Sequence, residues 1–429
     1  MSDPIHTLSL PQSLQAVFEA NSLQLQLNHA ELFALKSAAL SRFQHAGFPS
    51  KKVEDYRYFP LDGLNKLDLS PALLNPALVG ETPAGFENYQ KKIHVSNGFP
   101  LKFEGIDDLI SASNFQQATD DIKQVFVNDI AENQEQDAVY QLNTAFFADA
   151  LLITIPSNTV IDEPILIVHH TKLGKNEMAF PRQFVHVGAN SVVSFVEVFI
   201  QNDDSAYTNA VLRVKAEEGA KVNWVKIQNT PNATLLIDNT SASVAKHATF
   251  DIFTLCFGAQ KLRNNLTISL DSERCDAHLN GFYFPKEGEL VDNHTLVDHR
   301  FAHCESNEFY KGAIGQGATA IFNGKVFVRP DAQKTNAYQS NKNILLGDNA
   351  TINTKPQLEI YADDVKCSHG SSTGFIDQDA LFYMQSRGIS RSSAQALLLS
   401  AFALDVVNYI KHEPLRLLVS HWVEQRILN

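Results

Sequence analysis

The sequence predicts a mainly β protein, a right-handed parallel β-helix (solenoid) core with α-helical N- and C-terminal regions. Two observations favour this fold class: short β-rich runs replace helical periodicity over about residues 151–360, and small turns of similar composition recur there. The length of 429 residues also exceeds that of most single compact domains. We predict a mainly helical region over 1–150, the solenoid over 151–374 and a helical region over 375–429.

The N-terminal region contains one clear amphipathic helix over residues 31–46. Its apolar residues recur at spacings of three and four, which places them on one buried stripe. Gly47 and Pro49 predict the end of this helix, because glycine tolerates a left-handed cap and proline cannot continue the helix. The following segment, 51–59, mixes charges with aromatic residues and is predicted to be an ordered connection packed on a neighbour.

The central region contains short runs that are typical of β-strands, at 151–155, 165–168 and 222–225. Glycine-led turns begin at 188 and 219, which are 31 residues apart, and at 317 and 347, which are 30 apart. Such spacing is typical of repeat architectures, in which each coil buries its apolar face against its neighbours. Periodicity alone does not separate this solenoid from a β-sandwich with chance spacing.

The C-terminal region returns to helical patterns after Gly374. Asp377 is a predicted N-cap for a helix that ends near Gly388, and Ser390 is a predicted N-cap for a longer, mostly apolar helix. Pro414 opens a last amphipathic segment. The wide apolar face of the long helix predicts burial against the solenoid or a partner.

Composition argues against several classes of function. A net charge of −13 disfavours nucleic acid and anionic membranes as partners, and no run approaches the roughly 20 apolar residues of a membrane span. The first residues lack the pattern of a signal peptide, and the four cysteines include no Cys-x-x-Cys pair, so we expect a cytoplasmic location. Phosphate-binding loops, His-Glu-x-x-His and Gly-x-Ser-x-Gly motifs are missing, so no catalytic residue is predicted.

Two groups of residues carry side chains that bind metals. The first group, in which His299, His303 and Cys304 are the weaker metal candidates, also contains His294 and Asp298. This first group is compatible with a metal-dependent enzyme built on a β-helix, although ordinary hydrogen-bonded histidines are the favoured interpretation. The second group is Cys367 and His369, which share one face of an extended strand because they are two residues apart. On these two residues alone, a structural cysteine beside a hydrogen-bonded histidine is the favoured interpretation.

The segment around Cys367 resembles the signature block of a known family. The run from Lys355 to Gly370, together with 322–326, 332–337 and the Lys52–Tyr58 segment, is similar to the SufB/SufD family of iron–sulfur cluster assembly proteins. The resemblance is to the SufD branch, because residues 337–343 lack the cysteine that SufB proteins place before the block.

The resemblance implies a non-catalytic scaffold subunit that works with two partners. A SufB-like paralogue would pair with the solenoid core, and a transient iron–sulfur cluster or iron would be shared at that interface, with His369 as ligand and Cys367 as a secondary candidate. A SufC-like ATPase would bind the C-terminal helices. The candidate residues for partner binding are Phe382, Tyr383, Arg387, Leu398 and Phe402. No cofactor is expected in the isolated chain, and a homodimeric structural protein remains an alternative.

Overall fold

The computed structural model describes residues 12–72, 74, 81–132, 137–201, 207–230 and 234–428. The first residues, on which the expectation of no signal peptide rests, lie outside this range. The prediction of a mainly β fold with a parallel solenoid and helices in both terminal regions is confirmed. No helix in the described ranges is long and apolar enough to cross a bilayer.

The secondary structure changes from helices to strands and back to helices along the chain. The α-helices are α1 (Gln12–Asn28), α2 (Ala30–Ala46), α3 (Asp120–Glu132), α4 (Ala138–Phe146), α5 (Gln378–Ser386), α6 (Arg391–Val407) and α7 (Glu413–Leu428). The strands are β1 (Ser70–Pro71), β2 (Lys92–Ser96), β3 (Phe99–Glu104), β4 (Ser111–Asn114), β5 (Leu151–Ile155), β6 (Ile165–Thr171), β7 (Glu177–Ala179), β8 (Arg182–Val187), β9 (Val192–Gln201), β10 (Tyr207–Ala216), β11 (Lys221–Gln228), β12 (Leu235–Val244), β13 (Thr249–Cys256), β14 (Lys261–Leu270), β15 (Asp276–Tyr283), β16 (Leu290–His299), β17 (Glu305–Ile314), β18 (Thr319–Val328), β19 (Asn336–Leu345), β20 (Thr351–Ile360) and β21 (Lys366–Gly374).

The strands form two sheets that face each other across the solenoid. The first sheet has the order β20-β18-β16-β14-β12-β10-β8-β5-β4, and the second has the order β21-β19-β17-β15-β13-β11-β9-β6-β2-β3. From β8 onward, consecutive strands therefore alternate between the sheets, and each pairs in parallel with the strand one coil later. In the second sheet Thr249 pairs with Asp276 of the next coil, and Asp276 pairs with Glu305 of the coil after that.

Successive side chains along each strand point alternately into the solenoid and away from it, so the solenoid has a lumen and two covered outer faces. One apolar cluster, including Phe195, Trp224 and Phe250, fills the lumen. A second cluster packs the N-terminal helices against the outer face of the first sheet, and a third packs the C-terminal helices against the outer face of the second sheet. The helices are stable in these places because each buries apolar side chains in one of these two clusters.

One corner of the solenoid is formed by a column of residues in the left-handed conformation. Asn190, Gly219, His247, Arg274 and His303 all have positive φ and occupy equivalent positions in successive coils. The ladder aligns Gly219 with Asn190 rather than with the glycine at 188, so the predicted spacing of 31 residues differs from the coil that the chain follows here. Tertiary pairing sets the register, and similar turn composition does not.

The first 150 residues contribute strands as well as helices. Strand β2 pairs in parallel with β6, and β4 pairs antiparallel with β5, so this region closes one end of both sheets. The predicted connection over 51–59 packs on the solenoid. The ring of buried Tyr56 lies 4.0 Å from the Arg263 guanidinium carbon, and the Tyr56 hydroxyl donates to Asp137 at 2.7 Å.

The C-terminal helices begin where the sequence predicts. The Asp377 carboxylate accepts hydrogen bonds from the backbone amides of Asp379 and Ala380, and the Ser390 hydroxyl accepts one from Ser393. Helix α6 is tied to β17 by Lys311, whose Nζ lies 2.6 Å from the Asp405 carboxylate and 2.9 Å from a main-chain carbonyl oxygen.

Candidate functional site

The solenoid ends in two strands that have a free edge. Strands β20 and β21 are the last members of their sheets, and within the described ranges no further strand pairs with either of them. Most of β21 is exposed, and its side chains are mainly small: serine, threonine and glycine follow His369. A free edge presents main-chain donors and acceptors in a regular array, which is a template for pairing with another chain. The small side chains permit close approach.

Cys367 and His369 lie on this free-edge strand. The register places Cys367 beside Ala337 and His369 beside Gln339 on β19, and the partners on β19 are both buried in the lumen. The two side chains therefore share the lumen-facing side of the last coil, as their spacing predicts. His369 is exposed and Cys367 is half-buried, and burial raises the pKa of the Cys367 thiol. An imidazole and a thiol in this arrangement are donors of the kind that bind iron or zinc.

A buried carboxyl group lies behind His369. Glu308 on β17 pairs with Gln339 on β19, and Gln339 Nε2 donates to Glu308 Oε2 at 2.6 Å. Both side chains are buried, and within the described structure Glu308 Oε1 and the single amide oxygen of Gln339 have no hydrogen-bond partner. Burial raises the pKa of Glu308 to about 7, which the hydrogen bond from Gln339 only partly opposes. Glu308 was not identified from the sequence, although a glutamate at an inward-facing strand position is a usable signal.

A second buried polar group lies deeper in the lumen. Lys226 Nζ lies 3.2 Å from Glu197 Oε2 and 2.6 Å from Asp238 Oδ2, and His169 Nε2 lies 2.9 Å from Glu197 Oε1. Burial is the largest single effect on Glu197 and would alone raise its pKa, but the Lys226 ammonium and the hydrogen bonds from His169 and Gln183 together outweigh burial and hold the pKa at about 2. Burial raises the pKa of Asp238. This ionic group lies several strands from the free edge, so it supports the core rather than the candidate site.

The weaker metal candidates are not brought together. His294 lies on the outer face, where its Nδ1 lies 2.7 Å from Asp292 and its Nε2 accepts from Asn323 at 3.0 Å, so neither nitrogen is free. His299 faces the lumen, with its Nε2 2.8 Å from the Ser306 hydroxyl, and burial lowers its pKa to about 4.

The remaining members of that group also point apart. Asp298 forms ion pairs with Arg300 and Arg329, His303 is an exposed corner residue, and Cys304 is buried. Among the residues that the structure describes, no group of three or more histidine, cysteine, aspartate or glutamate side chains could hold a metal ion.

The candidate partner-binding residues divide into exposed and half-buried positions. Phe382 and Tyr383 on α5 are 74% and 60% exposed, and the Arg387 guanidinium carbon lies 5.2 Å from the Tyr383 ring centroid. Leu398 and Phe402 on α6 are half-buried in the cluster that holds the helices to the second sheet. Five further large apolar side chains are exposed in this region: Phe375, Leu397, Tyr409, Leu417 and Leu428.

Comparison with known families matches most of this architecture. Residues 169–402 match the family model described as SUF system FeS cluster assembly, SufBD core domain, and residues 105–167 match the SufBD protein N-terminal region. The core match spans more than half of the chain and includes the free-edge strands and the candidate pair Cys367 and His369.

Individual relatives extend the similarity over nearly the whole length. The chain is 26% identical to the iron–sulfur cluster assembly protein SufD of Escherichia coli, over 90% of this chain and 91% of the relative. It is 27% identical to an iron–sulfur cluster assembly SufBD family protein of Synechocystis, over 96% and 94%. It is also 25% identical to the chloroplastic protein ABCI7 of Arabidopsis thaliana, over 97% and 89%.

Proposed function

The chain belongs to the SufBD family of the SUF system for iron–sulfur cluster assembly, and on this premise we propose that it is a non-catalytic scaffold subunit. Its free-edge coil forms half of the site at which a nascent cluster is held, and a SufB-like paralogue supplies the other half. The observation that carries the proposal is the exposed, small-residue strand β21, which presents His369 at an unpaired sheet edge.

The proposed interface follows from the hydrogen bonds that the last coil leaves open. Strands β20 and β21 span Thr351–Ile360 and Lys366–Gly374, and each has one edge without a partner strand in the described structure. A paralogue with a matching last coil satisfies both edges at once, and the two sheets then continue across the interface. Pairing of this kind is β-augmentation, in which main-chain hydrogen bonds supply affinity and side chains supply specificity.

His369 is the proposed ligand for iron or for the cluster, which we treat as cargo rather than as a resident cofactor. Its exposure leaves the imidazole free to meet a ligand set from the partner. Cys367 is a secondary candidate, because it is half-buried and burial raises the pKa of its thiol, which disfavours the thiolate that binds metal.

The ligand assignment is tested by His369→Ala in the reconstituted complex with SufB- and SufC-like partners. We expect the variant complex to assemble but to load less iron and sulfide. Cys367→Ser should have a smaller effect. His303→Ala is the matched control, because it removes another exposed histidine from a corner of the same solenoid. Normal loading by a correctly assembled His369→Ala complex would refute the assignment.

The C-terminal helices are the proposed site for a SufC-like ATPase. The exposed aromatic side chains of Phe382 and Tyr383 support this role, since aromatic residues are enriched among the residues that dominate binding energy at interfaces. ATP-driven movement of that partner would then act on α5 to α7 and, through Lys311 and Asp405, on β17.

The ATPase-binding role is tested by co-purification. A double change of Phe382 and Tyr383 to alanine should weaken capture of the ATPase while the protein stays folded. Tyr58→Ala is the control, because Tyr58 is a comparably exposed aromatic residue in the N-terminal region. Deletion of the residues after Asp377 should abolish capture, and full capture by that truncated chain would refute the role.

A further inference from the structure

Two of the four cysteines occupy stacked positions at one corner of the solenoid. The register pairs Asp276 with Glu305, so the residues just before them, Cys275 and Cys304, are neighbours in consecutive coils. The Glu305 amide donates to the Cys275 carbonyl oxygen at 2.9 Å, which fixes this alignment. Adjacent strands lie about 4.8 Å apart. That spacing falls within the Cα separation of roughly 4.4–6.8 Å that a disulfide bridges.

The two thiols also turn toward the same point. Cys275 Sγ lies 3.1 Å from the carbonyl oxygen of Ser272, and Cys304 Sγ lies 3.2 Å from that same oxygen. Contact with one shared atom makes the sulfur atoms neighbours. The thiol of Cys275 and nearby backbone amides hold the pKa of Cys304 below its ordinary value, so Cys304 is the more nucleophilic member.

The other two cysteines lack this arrangement. Cys256 faces the lumen, where Asn264 Nδ2 lies 3.3 Å from its sulfur and burial raises the pKa of its thiol to about 12. Cys367 lies on the free-edge strand and is half-buried. All four cysteines lie in the described part of the chain, and only Cys275 and Cys304 are register neighbours there.

We propose that Cys275 and Cys304 form a reversible disulfide that joins two consecutive coils when the protein meets a peroxide. The Cys304 sulfur attacks one oxygen of hydrogen peroxide, so that an S–O bond forms, the O–O bond breaks and one water leaves. The Cys275 sulfur then attacks the sulfenic sulfur, the S–S bond forms, and a second water leaves. Two thiols lose two electrons and two protons in total, and a small dithiol reverses the reaction.

The corner position favours this reaction over further oxidation of either thiol. Both side chains are fully buried, but the residues before them, Arg274 and His303, are exposed corner residues. A small oxidant therefore needs only a local opening of the corner, after which the resolving thiol is already in place. The disulfide closes the loop of one coil and reduces the entropy of the unfolded chain, so it stabilises the solenoid.

The experiment uses the full chain carrying Cys367→Ser, which removes the half-exposed thiol from the measurement. Hydrogen peroxide is added, remaining thiols are counted after denaturation, and non-reducing peptide mapping identifies cross-links. We expect the thiol count to fall from three to one, a Cys275–Cys304 cross-linked peptide, and a higher urea midpoint that dithiothreitol returns to its starting value.

Further substitutions in the Cys367→Ser chain distinguish a disulfide between Cys275 and Cys304 from a general effect of the oxidant. Adding Cys304→Ser should abolish both the cross-link and the shift in midpoint, whereas adding Cys256→Ala should leave the cross-link in place. Three intact thiols after prolonged exposure, or Cys275 and Cys304 recovered only as separate sulfinic acids, would overturn the proposal. The peptide map is made on the Cys367→Ser chain, so the result does not depend on the folding of any further variant.

Discussion

Replacement of Lys226 by methionine removes the ammonium group that lies between two buried carboxyl groups. Lys226 Nζ lies 3.2 Å from Glu197 Oε2, 2.6 Å from Asp238 Oδ2 and 2.6 Å from the Thr240 hydroxyl. Methionine keeps most of the side-chain length, so the main loss is the ammonium group and its three contacts. Removal of one member of a buried ion pair destabilises a protein by about 3–5 kcal/mol, because the remaining charges have no compensation.

The expected loss depends on pH. Burial raises the pKa of Asp238 above its ordinary value. Without the Lys226 ammonium the pKa of Asp238 rises further and the pKa of Glu197 rises from its lowered value, because the positive charge that lowers both is gone. A raised carboxyl pKa gives stability that is present below the unfolded pKa and lost as pH rises through the folded pKa. Lys226→Met should therefore be less destabilising at pH 5 than at pH 7.

Urea unfolding of the full chain measures this effect. Far-UV circular dichroism follows the sheets. Tryptophan fluorescence reports on Trp224, whose Nε1 donates to Glu197 at 3.0 Å, together with Trp422 on α7. Coincident transitions from the two probes indicate a single cooperative step. Lys221→Met is the matched control, since Lys221 lies on the same strand and is exposed. A loss for Lys226→Met within 1 kcal/mol of the control, on the order of ordinary surface effects, would refute the reasoning.

Three further changes test other parts of the structure. Glu308→Gln removes a carboxyl group whose pKa burial raises from 4.5 to about 7. Wild-type stability should therefore fall by about 2.5 kcal/mol between pH 5 and pH 8 relative to the variant, and parallel pH profiles would contradict this. Lys311→Met removes the contacts to Asp405, and amide exchange in α6 should become about tenfold faster while the solenoid strands stay protected. Ser390→Ala removes the N-cap of α6 and should cost about 1 kcal/mol, measured as a lower urea midpoint, whereas Ser390→Asp should retain the cap.

The candidate site was only partly predictable. The positions of Cys367 and His369 on one strand face follow from their spacing, because side chains two apart on a strand point the same way. Glu308 was not identified, since it approaches His369 only through the register of three strands, β17, β19 and β21. The pairing of Cys275 with Cys304 was missed for the same reason, although their separation is close to one coil.

The sequence by itself determined the features that depend on neighbours along the chain. Local dihedral preferences and hydrogen bonds determine the helix caps at Asp377 and Ser390 and the start of β5 at Leu151. They also determine where the residue pattern changes from helical to strand periodicity. Only the tertiary structure decided which coils align, that Lys226 meets Glu197 and Asp238, and that β20 and β21 have free edges within the described part of the chain. These features depend on how the coils form and stack, which brings together residues from half a coil to one coil apart whose contacts leave no local pattern.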